Sequence, residues 1–172
     1  MSNYKIINAD AERVAKAIYD NVGETMPSIL SLVGWTERNF GIKIKVEFLE
    51  TFGLGHSGYV YPDPESGVYR IGINVKEADC RQRFTQCHEL AHIVRDVGLK
   101  YGFSCGEIYT AKGLERFCDR FAAAFLMPED IFIKKWKTLS DDIWKKARIA
   151  IFFKVSGEAV RHRLRDLGLE EK

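Results

Sequence analysis

The chain has 172 residues, of which 46% are hydrophobic, and this is enough to bury one good core in a compact domain. Its 26 lysine and arginine residues face 24 acidic ones, so the net charge of +2 gives no field strong enough to argue for nucleic acid. The first residues lack the basic-then-apolar order of a secretory signal, and no apolar run approaches the roughly 20 residues of a membrane span. These features predict a cytoplasmic protein with no membrane partner, whose four cysteines are reduced.

The first half of the chain is predicted to contain two helices and three strands. Residues 11–22 and 27–40 carry apolar side chains at helical spacing. Residues 42–48 alternate apolar and charged side chains, which predicts a half-buried strand. Residues 59–61 and 68–74 flank a Pro-Asp-Pro-Glu-Ser-Gly segment, so we expect them to form a β-hairpin.

Two longer helices follow. Residues 76–97 are predicted to form a helix that ends at Gly98, and residues 114–126 combine helical apolar spacing with no proline or glycine, which is typical of a buried helix. The order of elements predicts an α+β fold, with an antiparallel or mixed three-stranded sheet packed on the helix that precedes Gly98. We expect one catalytic domain in residues 1–128 and a helical extension in residues 129–172 packed on it.

The most informative feature of the sequence is the segment His88-Glu89-Leu90-Ala91-His92. Residues four apart on an α-helix lie nearly above one another, about 6 Å apart along the axis, so both imidazoles can reach one metal ion. Glu89 lies about 100° around the axis from His88, which keeps it off the ion but within reach of a water molecule bound there. This H-E-x-x-H pattern predicts metal-assisted hydrolysis. The alternative, from these five residues alone, is a surface helix with two solvated histidines.

A catalytic zinc site needs a third protein ligand and one open position. Glu115 and Asp119 are four residues apart and share one face of the second predicted long helix. Glu115 is positioned to bind the ion, and Asp119 to accept a hydrogen bond from the outer nitrogen of a ligating histidine. The alternative is that both carboxylates are solvated charges beside Arg116 and Arg120.

Other polar side chains are weaker candidates for the metal site. Asp96 lies about 12 Å along the helix axis from His88, too far to share one ion, so we expect it on the helix surface or supporting a ligand. The four cysteines contain no C-x-x-C pair, and Cys87 and Cys118 fall in apolar helical stretches. The sequence therefore predicts that these two are buried free thiols.

Three segments carry a resemblance to a known family. They are Arg83-Phe84-Thr85, then His88-Glu89-Leu90-Ala91-His92 followed by Glu115, and finally Phe121-Ala122-Ala123-Ala124-Phe125-Leu126-Met127-Pro128. Over roughly residues 25 to 169 the chain resembles the ImmA/IrrE metallopeptidases of bacteria and their mobile elements. The H-E-x-x-H core alone is moderately specific, whereas its combination with the F-A-A-x-x-L-M-P segment is strongly so.

The resemblance implies a small zincin-like fold of gluzincin type, in which two histidines and a glutamate hold one zinc ion. It also implies that the protein substrate is a helix-turn-helix transcriptional repressor. Two departures from the usual pattern occur, since Ala91 replaces a frequent glycine and Phe117-Cys118 replaces a frequent Glu-Ala pair. Neither departure removes a predicted ligand, but Phe117 withdraws a spare carboxylate and leaves Glu115 as the third ligand.

The segment 70–75 suggests how a substrate would be bound. If its strand edge is free, an extended peptide can pair with it and present the scissile bond to the ion, which is the strand-addition mode of recognition. This hypothesis makes Ile73 and Asn74 candidate substrate-binding residues. The alternative, an ordinary sheet strand, stays open.

The carboxy-terminal residues resemble a helix-turn-helix unit, with helices at 141–153 and 158–167 and Ser156 as the N-cap of the second. The second helix carries three arginines that would face DNA in a recognition helix, namely Arg161, Arg163 and Arg165. However, residues 129–172 contain 11 basic and 8 acidic residues, and the apolar side chains of the second helix need a core. A structural or protein-recognition role is therefore favoured, and direct DNA binding is unlikely.

Together these arguments predict a zinc-dependent endopeptidase with one Zn²⁺ per chain. Glu89 is the expected general base, which takes a proton from the zinc-activated water and delivers it to the leaving amine. Three tyrosines are candidates to stabilise the oxyanion, namely Tyr69, Tyr101 and Tyr109. The alternative from another functional class is a DNA- or protein-binding regulator whose zinc is structural and which has no proteolytic activity.

Overall fold

The structure is a computed structural model that describes residues 3–23, 26–50, 53, 55–98 and 110–169. Within these ranges the chain forms seven helices and three strands. In chain order they are α1 (Asn3–Val22), α2 (Ile29–Phe40), β1 (Lys43–Leu49), β2 (Gly58–Pro62), β3 (Val68–Asn74), α3 (Asp79–Val97), α4 (Ala111–Leu126), α5 (Glu129–Thr138), α6 (Lys145–Phe153) and α7 (Gly157–Asp166). The predicted α+β class is confirmed. None of the described helices is long and apolar enough to cross a membrane.

The three strands form one mixed sheet in the order β1-β3-β2. β2 and β3 are antiparallel, as the predicted hairpin requires, whereas β1 runs parallel to β3. The turn between β2 and β3 ends at Gly67, whose φ of 68° lies in the left-handed region that glycine adopts without strain. The sheet is therefore of the mixed kind, with β3 in its centre.

The prediction that segment 70–75 has a free edge is wrong. Ile73 pairs with Phe48 of β1 on one side and with Gly58 of β2 on the other. Asn74 pairs with β1 as well, and its backbone N–H donates to the carbonyl of Ser57. The physical reason is that the apolar side chains of β3 are the most deeply buried of the sheet, so both neighbours close over this strand. Ile73 and Asn74 therefore have no open backbone edge to offer a peptide.

Helix α4 lies at the centre of the helical layer. It packs on α1 and on α3, and its buried aromatic side chains Phe117, Phe121 and Phe125 form a row down one side. Successive rings in this row lie 6.1 Å apart between centroids. Because α3 in turn packs on β2 and β3, the sheet, α3 and α4 form consecutive layers that hold the histidines of α3 against α4.

The carboxy-terminal helices share the core of the rest of the chain, since one cluster of buried apolar side chains extends from Ile7 in α1 to Leu164 in α7. α6 and α7 form the predicted helix-turn-helix pair, in which the hydroxyl of Ser156 accepts a hydrogen bond from the N–H of Ala159 at 3.1 Å. α6 begins at Lys145 rather than at residue 141, and α5 is an additional helix that the sequence analysis does not predict.

Arg163 contradicts the picture of a basic recognition helix. Its side chain is fully buried, its Nε donates to the carbonyl of Met127 at 3.0 Å, and its guanidinium pairs with Glu12 of α1. Arg163 therefore holds α7 against α1 and the end of α4. It is not available to contact a phosphate, whereas Arg161 and Arg165 lie on the exposed side.

Candidate metal centre

The two histidines of the H-E-x-x-H segment lie one turn apart near the middle of α3. Their side chains are 14% and 20% exposed, for His88 and His92 respectively. The Nε2 atoms of the two rings are 3.2 Å apart, and the ring centroids are 5.0 Å apart. Both rings therefore direct the same nitrogen to one point in front of the helix.

Glu115 of α4 faces this point from the other side. Its Oε2 is 3.3 Å from Nε2 of His88, and its Oε1 is 3.4 Å from Nε2 of His92. The position of this carboxylate depends on the start of α4, where the hydroxyl of Thr110, five residues before Glu115, accepts a hydrogen bond from the N–H of Gly113. The structure thus brings together all three predicted ligands.

The distances around the two histidine nitrogens are close to those between the ligand atoms of a tetrahedral ion. Zinc bonds to nitrogen and oxygen of about 2.0–2.1 Å place tetrahedral ligand atoms about 3.3–3.4 Å from one another. The two histidine nitrogens, 3.2 Å apart, match that spacing, and each of them has a different oxygen of Glu115 at 3.3 or 3.4 Å. The carboxylate of Glu115 is 60% exposed, so the site is reachable from solvent on the α4 side, as a catalytic site must be.

Asp119 lies behind His88. Its Oδ1 accepts a hydrogen bond of 2.9 Å from Nδ1 of this histidine, because a carboxylate can only accept. The bond keeps the proton on Nδ1 and leaves a lone pair on Nε2 for a metal. Burial lowers the pKa of His88, but the hydrogen bond and charge of Asp119 outweigh this and raise it overall; burial and the charge of His88 lower the pKa of His92.

Glu89 lies beside the two histidines and is only 8% exposed. Burial raises the pKa of its carboxyl above the usual value, as is typical of a carboxylate that serves as a general base. A β-carbon added at Gly58 of β2 would lie 3.3 Å from Oε1 of Glu89 and 2.5 Å from Cγ2 of Thr85. Strand β2 therefore passes Thr85 of α3 at a distance that only glycine permits without a shift, and it lies close to Glu89 at the same position.

This close approach is a functional feature that the sequence analysis missed. β2 pairs with β3 on one side only, and no other strand among the described residues covers its outer edge. The available signal was weak, since a glycine at the start of a strand often marks a close backbone approach. The edge beside the site is that of β2 and not, as the hypothesis had it, that of segment 70–75.

Cys118 is a further side chain near the histidines. Its Sγ and one nitrogen of each of His88 and His92 lie within 4.8 Å of one another. The thiol is therefore close enough to the two rings to be a rival of Glu115 for the metal. Burial and the neighbouring carboxylates raise the pKa of the Cys118 thiol well above its usual value, and both Cys118 and Cys87 are buried free thiols, as predicted.

Of the three tyrosines predicted as oxyanion donors, the structure describes only Tyr69. The hydroxyl of Tyr69 donates to Oδ2 of Asp96 at 2.6 Å, and burial together with this contact raises the pKa of Tyr69 to about 12. Asp96 of α3 is thus the hydrogen-bond partner of Tyr69 of β3, and the Tyr69 hydroxyl is bound to this carboxylate rather than free to face the metal position. Tyr101 and Tyr109 lie outside the described residues.

Comparison with known proteins gives a family and a structural relative. A family model described as "Peptidase_M78: IrrE N-terminal-like domain" matches residues 37–165, about three quarters of the chain. The fold is similar to that of a "Mycobacterium tuberculosis transcriptional regulator", with a TM-score of 0.64 and 19% sequence identity, over 95% of this chain and 51% of that one. The present chain thus spans about half the length of that regulator, and at this identity the likeness shows the fold alone. No protein with a curated description matches the chain.

Proposed function

This chain belongs to the Peptidase_M78 family of IrrE N-terminal-like domains, as its motifs predict, and we propose that it is a zinc-dependent endopeptidase acting on a protein substrate. The observation that carries the proposal is the triangle of His88, His92 and Glu115 with the buried Glu89 beside it. The family match supports a metallopeptidase-like fold. By the resemblance to ImmA/IrrE proteins, we propose a helix-turn-helix transcriptional repressor as the substrate and the cytoplasm as the location.

One zinc ion per chain would be held by His88, His92 and Glu115. Zinc at such a site polarises a peptide carbonyl and lowers the pKa of water toward about 7. The protein's own part is to fix the ligands, and Asp119 does this by holding the ring of His88 in one orientation and tautomer. The exposed side of Glu115 leaves room for the substrate to approach.

Glu89 is the proposed general base and acid. Its carboxylate accepts a proton from the attacking water molecule and returns it to the amine that leaves when the peptide bond breaks. Burial suits it to both steps, because a raised pKa brings proton uptake and proton release closer to neutral pH. Its place one residue after His88 keeps it beside the metal position without making it a ligand.

The outer edge of β2 is the proposed docking site for the substrate backbone. An extended peptide that adds to this edge makes main-chain hydrogen bonds and runs past Gly58, next to Glu89. The missing side chain of Gly58 keeps the strand near α3, so the peptide bond can reach the space between Glu89 and the histidines. β2 thereby takes the role first assigned to Ile73 and Asn74.

The test is a comparison of wild-type protein with Glu89→Gln. Both are loaded with zinc and incubated with a bacterial proteome-derived peptide library and with a panel of purified helix-turn-helix repressors, and new termini are identified by mass spectrometry. We expect cleavage by the wild type and none by Glu89→Gln at equal zinc content. The proposal would be overturned by equal cleavage in the two samples, or by absence of cleavage in both, the latter favouring a regulator with a structural zinc.

A further inference from the structure

A cleft of about 900 Å³ opens on the side of α4 that carries the metal-site carboxylates. Its walls come from α1, the start of α3, α4 and α7, and Glu115 and Asp119 belong both to this wall and to the metal centre. His88, Glu89 and His92 do not line it, so the cleft adjoins the catalytic groups rather than containing them. Its volume lies within the range of clefts that bind small ligands or peptide side chains.

Helix α7 forms one wall of the cleft with a single stripe of side chains. Glu158, His162 and Arg165 lie at the spacing that places residues on one helix face, and all three line the cleft. A neighbouring face of the same helix is buried in the core through Val160 and Leu164. To bind duplex DNA, this face of α7 would have to be free of α4, because the major groove accommodates a whole helix. The position of α7 instead suits a narrower chain such as a polypeptide.

Most of the carboxylates that line the cleft face other side chains. Five arginine or lysine side chains and four carboxylates line it. Two of the carboxylates, Glu115 and Asp119, face the histidines, and a third, Asp166, pairs with Arg120. The fourth, Glu158, lies 3.8 Å from His162. The acidic groups of the cleft are therefore largely engaged at the metal centre or with other partners.

Two cations on α4 keep their charge available. Lys112 is exposed and forms no ion pair with another described residue. Arg116 contacts two neutral groups of α1, the Asn8 amide at 2.9 Å and the Tyr4 ring at 4.8 Å. Lys112 and Arg116 are four residues apart, so they share one face of α4. Lys112 lies one turn, about 4.5 Å along the axis, before Glu115.

We propose that Lys112 and Arg116 bind a carboxylate of the polypeptide substrate, on one side of the scissile bond, in the cleft between α4 and α7. This inference rests on the proposed endopeptidase function. The carboxylate can come from an aspartate or glutamate side chain or from the carboxyl terminus of the chain. In either case the two cations select the substrate and position it, while the chemistry is left to the metal centre and Glu89.

The first experiment uses zinc-loaded protein and a proteome-derived peptide library with free or amidated carboxyl termini. The wild type should cleave bonds that have an acidic residue, or the free carboxyl terminus, at one fixed number of residues from the scissile bond. Lys112→Glu should reduce cleavage of those peptides roughly two- to fivefold, as expected for an exposed ion pair, and Lys112→Arg should restore it. Lys146→Glu, the same charge change at an exposed position of α6 outside the cleft, is the matched control.

The outcomes separate the two sources of carboxylate and can overturn the proposal. If the preference for a carboxylate remains when the carboxyl terminus of the peptide is amidated, the site binds acidic side chains. If the preference disappears, the site binds the carboxyl terminus. Cleavage without any carboxylate preference contradicts the proposal. The proposal is also contradicted if Lys112→Glu and Lys146→Glu change the carboxylate preference equally. Unchanged zinc content in each variant shows that the metal centre is intact.

A second experiment distinguishes failure of this site from failure of the proposed function. Zinc-loaded Glu89→Gln protein is titrated with a labelled peptide containing aspartate and with the same peptide containing asparagine. The aspartate peptide should bind more tightly than the asparagine peptide, and the difference should decrease with added salt and disappear in the double variant that also carries Lys112→Glu. This result supports the site even if no hydrolysis is found. Equal binding of the two peptides, or displacement of the aspartate peptide by duplex DNA, overturns it.

Discussion

Nδ1 of His88 and Oδ1 of Asp119 are joined by a hydrogen bond of 2.9 Å that links α3 to α4 directly behind the metal position. Asp119 is four residues after Glu115, so one face of α4 supplies both a carboxylate in front of the ring and a carboxylate behind it. The relative position of two helices thus decides the orientation of the imidazole.

Asp119→Ala should weaken zinc binding roughly tenfold to a hundredfold, because the ring of His88 loses the partner that fixes its tautomer and orientation. The affinity is measured by competition with a chromogenic chelator. Asp119→Asn keeps the shape of the side chain and serves as the matched control, with a smaller loss. If Asp119→Ala lost zinc as completely as His88→Ala, Asp119 would be a ligand and not the support of one.

Glu115→Ala should lose most of the zinc that the wild type holds at about one ion per chain, while Cys118→Ala should keep it. The reason is that each histidine nitrogen has a Glu115 oxygen within 3.4 Å, whereas burial raises the pKa of the Cys118 thiol and keeps it in the protonated form, which binds a metal poorly. Zinc per chain is measured by elemental analysis after dialysis. If zinc were lost in Cys118→Ala and kept in Glu115→Ala, Cys118 would be the third ligand in place of Glu115.

Gly58→Ala should sharply reduce hydrolysis while the protein stays folded and loaded with zinc. Its added carbon would meet Cγ2 of Thr85 at 2.5 Å and Oε1 of Glu89 at 3.3 Å, so β2 or Thr85 must shift, and Glu89 lies directly beside both. Catalytic geometry tolerates such shifts poorly. Cleavage rates and zinc content are compared with those of Gly157→Ala, where an added carbon meets nothing within 4 Å. Equal rates in the two variants would show that β2 does not position the site.

Arg163→Ala should destabilise the fold by about 1.5–3 kcal/mol, because it removes the charged hydrogen bonds of a buried guanidinium to the Met127 carbonyl and to Glu12, which keeps Arg120 as its other partner. Denaturant unfolding measures the change in free energy. Arg161→Ala, on the exposed side of the same helix, should stay within about 0.5 kcal/mol of wild type. Similar stabilities for the two variants would argue against the buried role of Arg163.

The sequence was sufficient wherever the signal is local. The spacing of His88 and His92 on one helix, and of Glu115 and Asp119 on another, could be read directly, because a helix converts sequence distance into spatial distance. The hairpin of β2 and β3 follows from a turn between two short strands. These elements carry most of the candidate site, which is why its residues could be named before the fold was known.

The sequence was insufficient where packing between distant segments decides the outcome. β1 precedes the hairpin and could have joined either side of it; it pairs with β3, and this closes the edge that segment 70–75 was expected to offer. The contact between Gly58 and Glu89 joins a strand and a helix that no local pattern connects. Arg163 looks like a surface cation in its own helix, and its burial depends on partners far away in the sequence, Glu12 at 151 residues and the Met127 carbonyl at 36.

The most direct measurement of the central claim is a zinc titration of metal-stripped protein, with hydrolysis of a cleavable peptide from the library as the readout. Wild-type activity should be absent without zinc and should rise until about one zinc per chain has been added. Glu89→Gln should take up the same amount of zinc and remain inactive, because its metal ligands are intact and only the proton carrier is missing. Activity in zinc-free wild type, or recovery of activity by Glu89→Gln, would contradict the account.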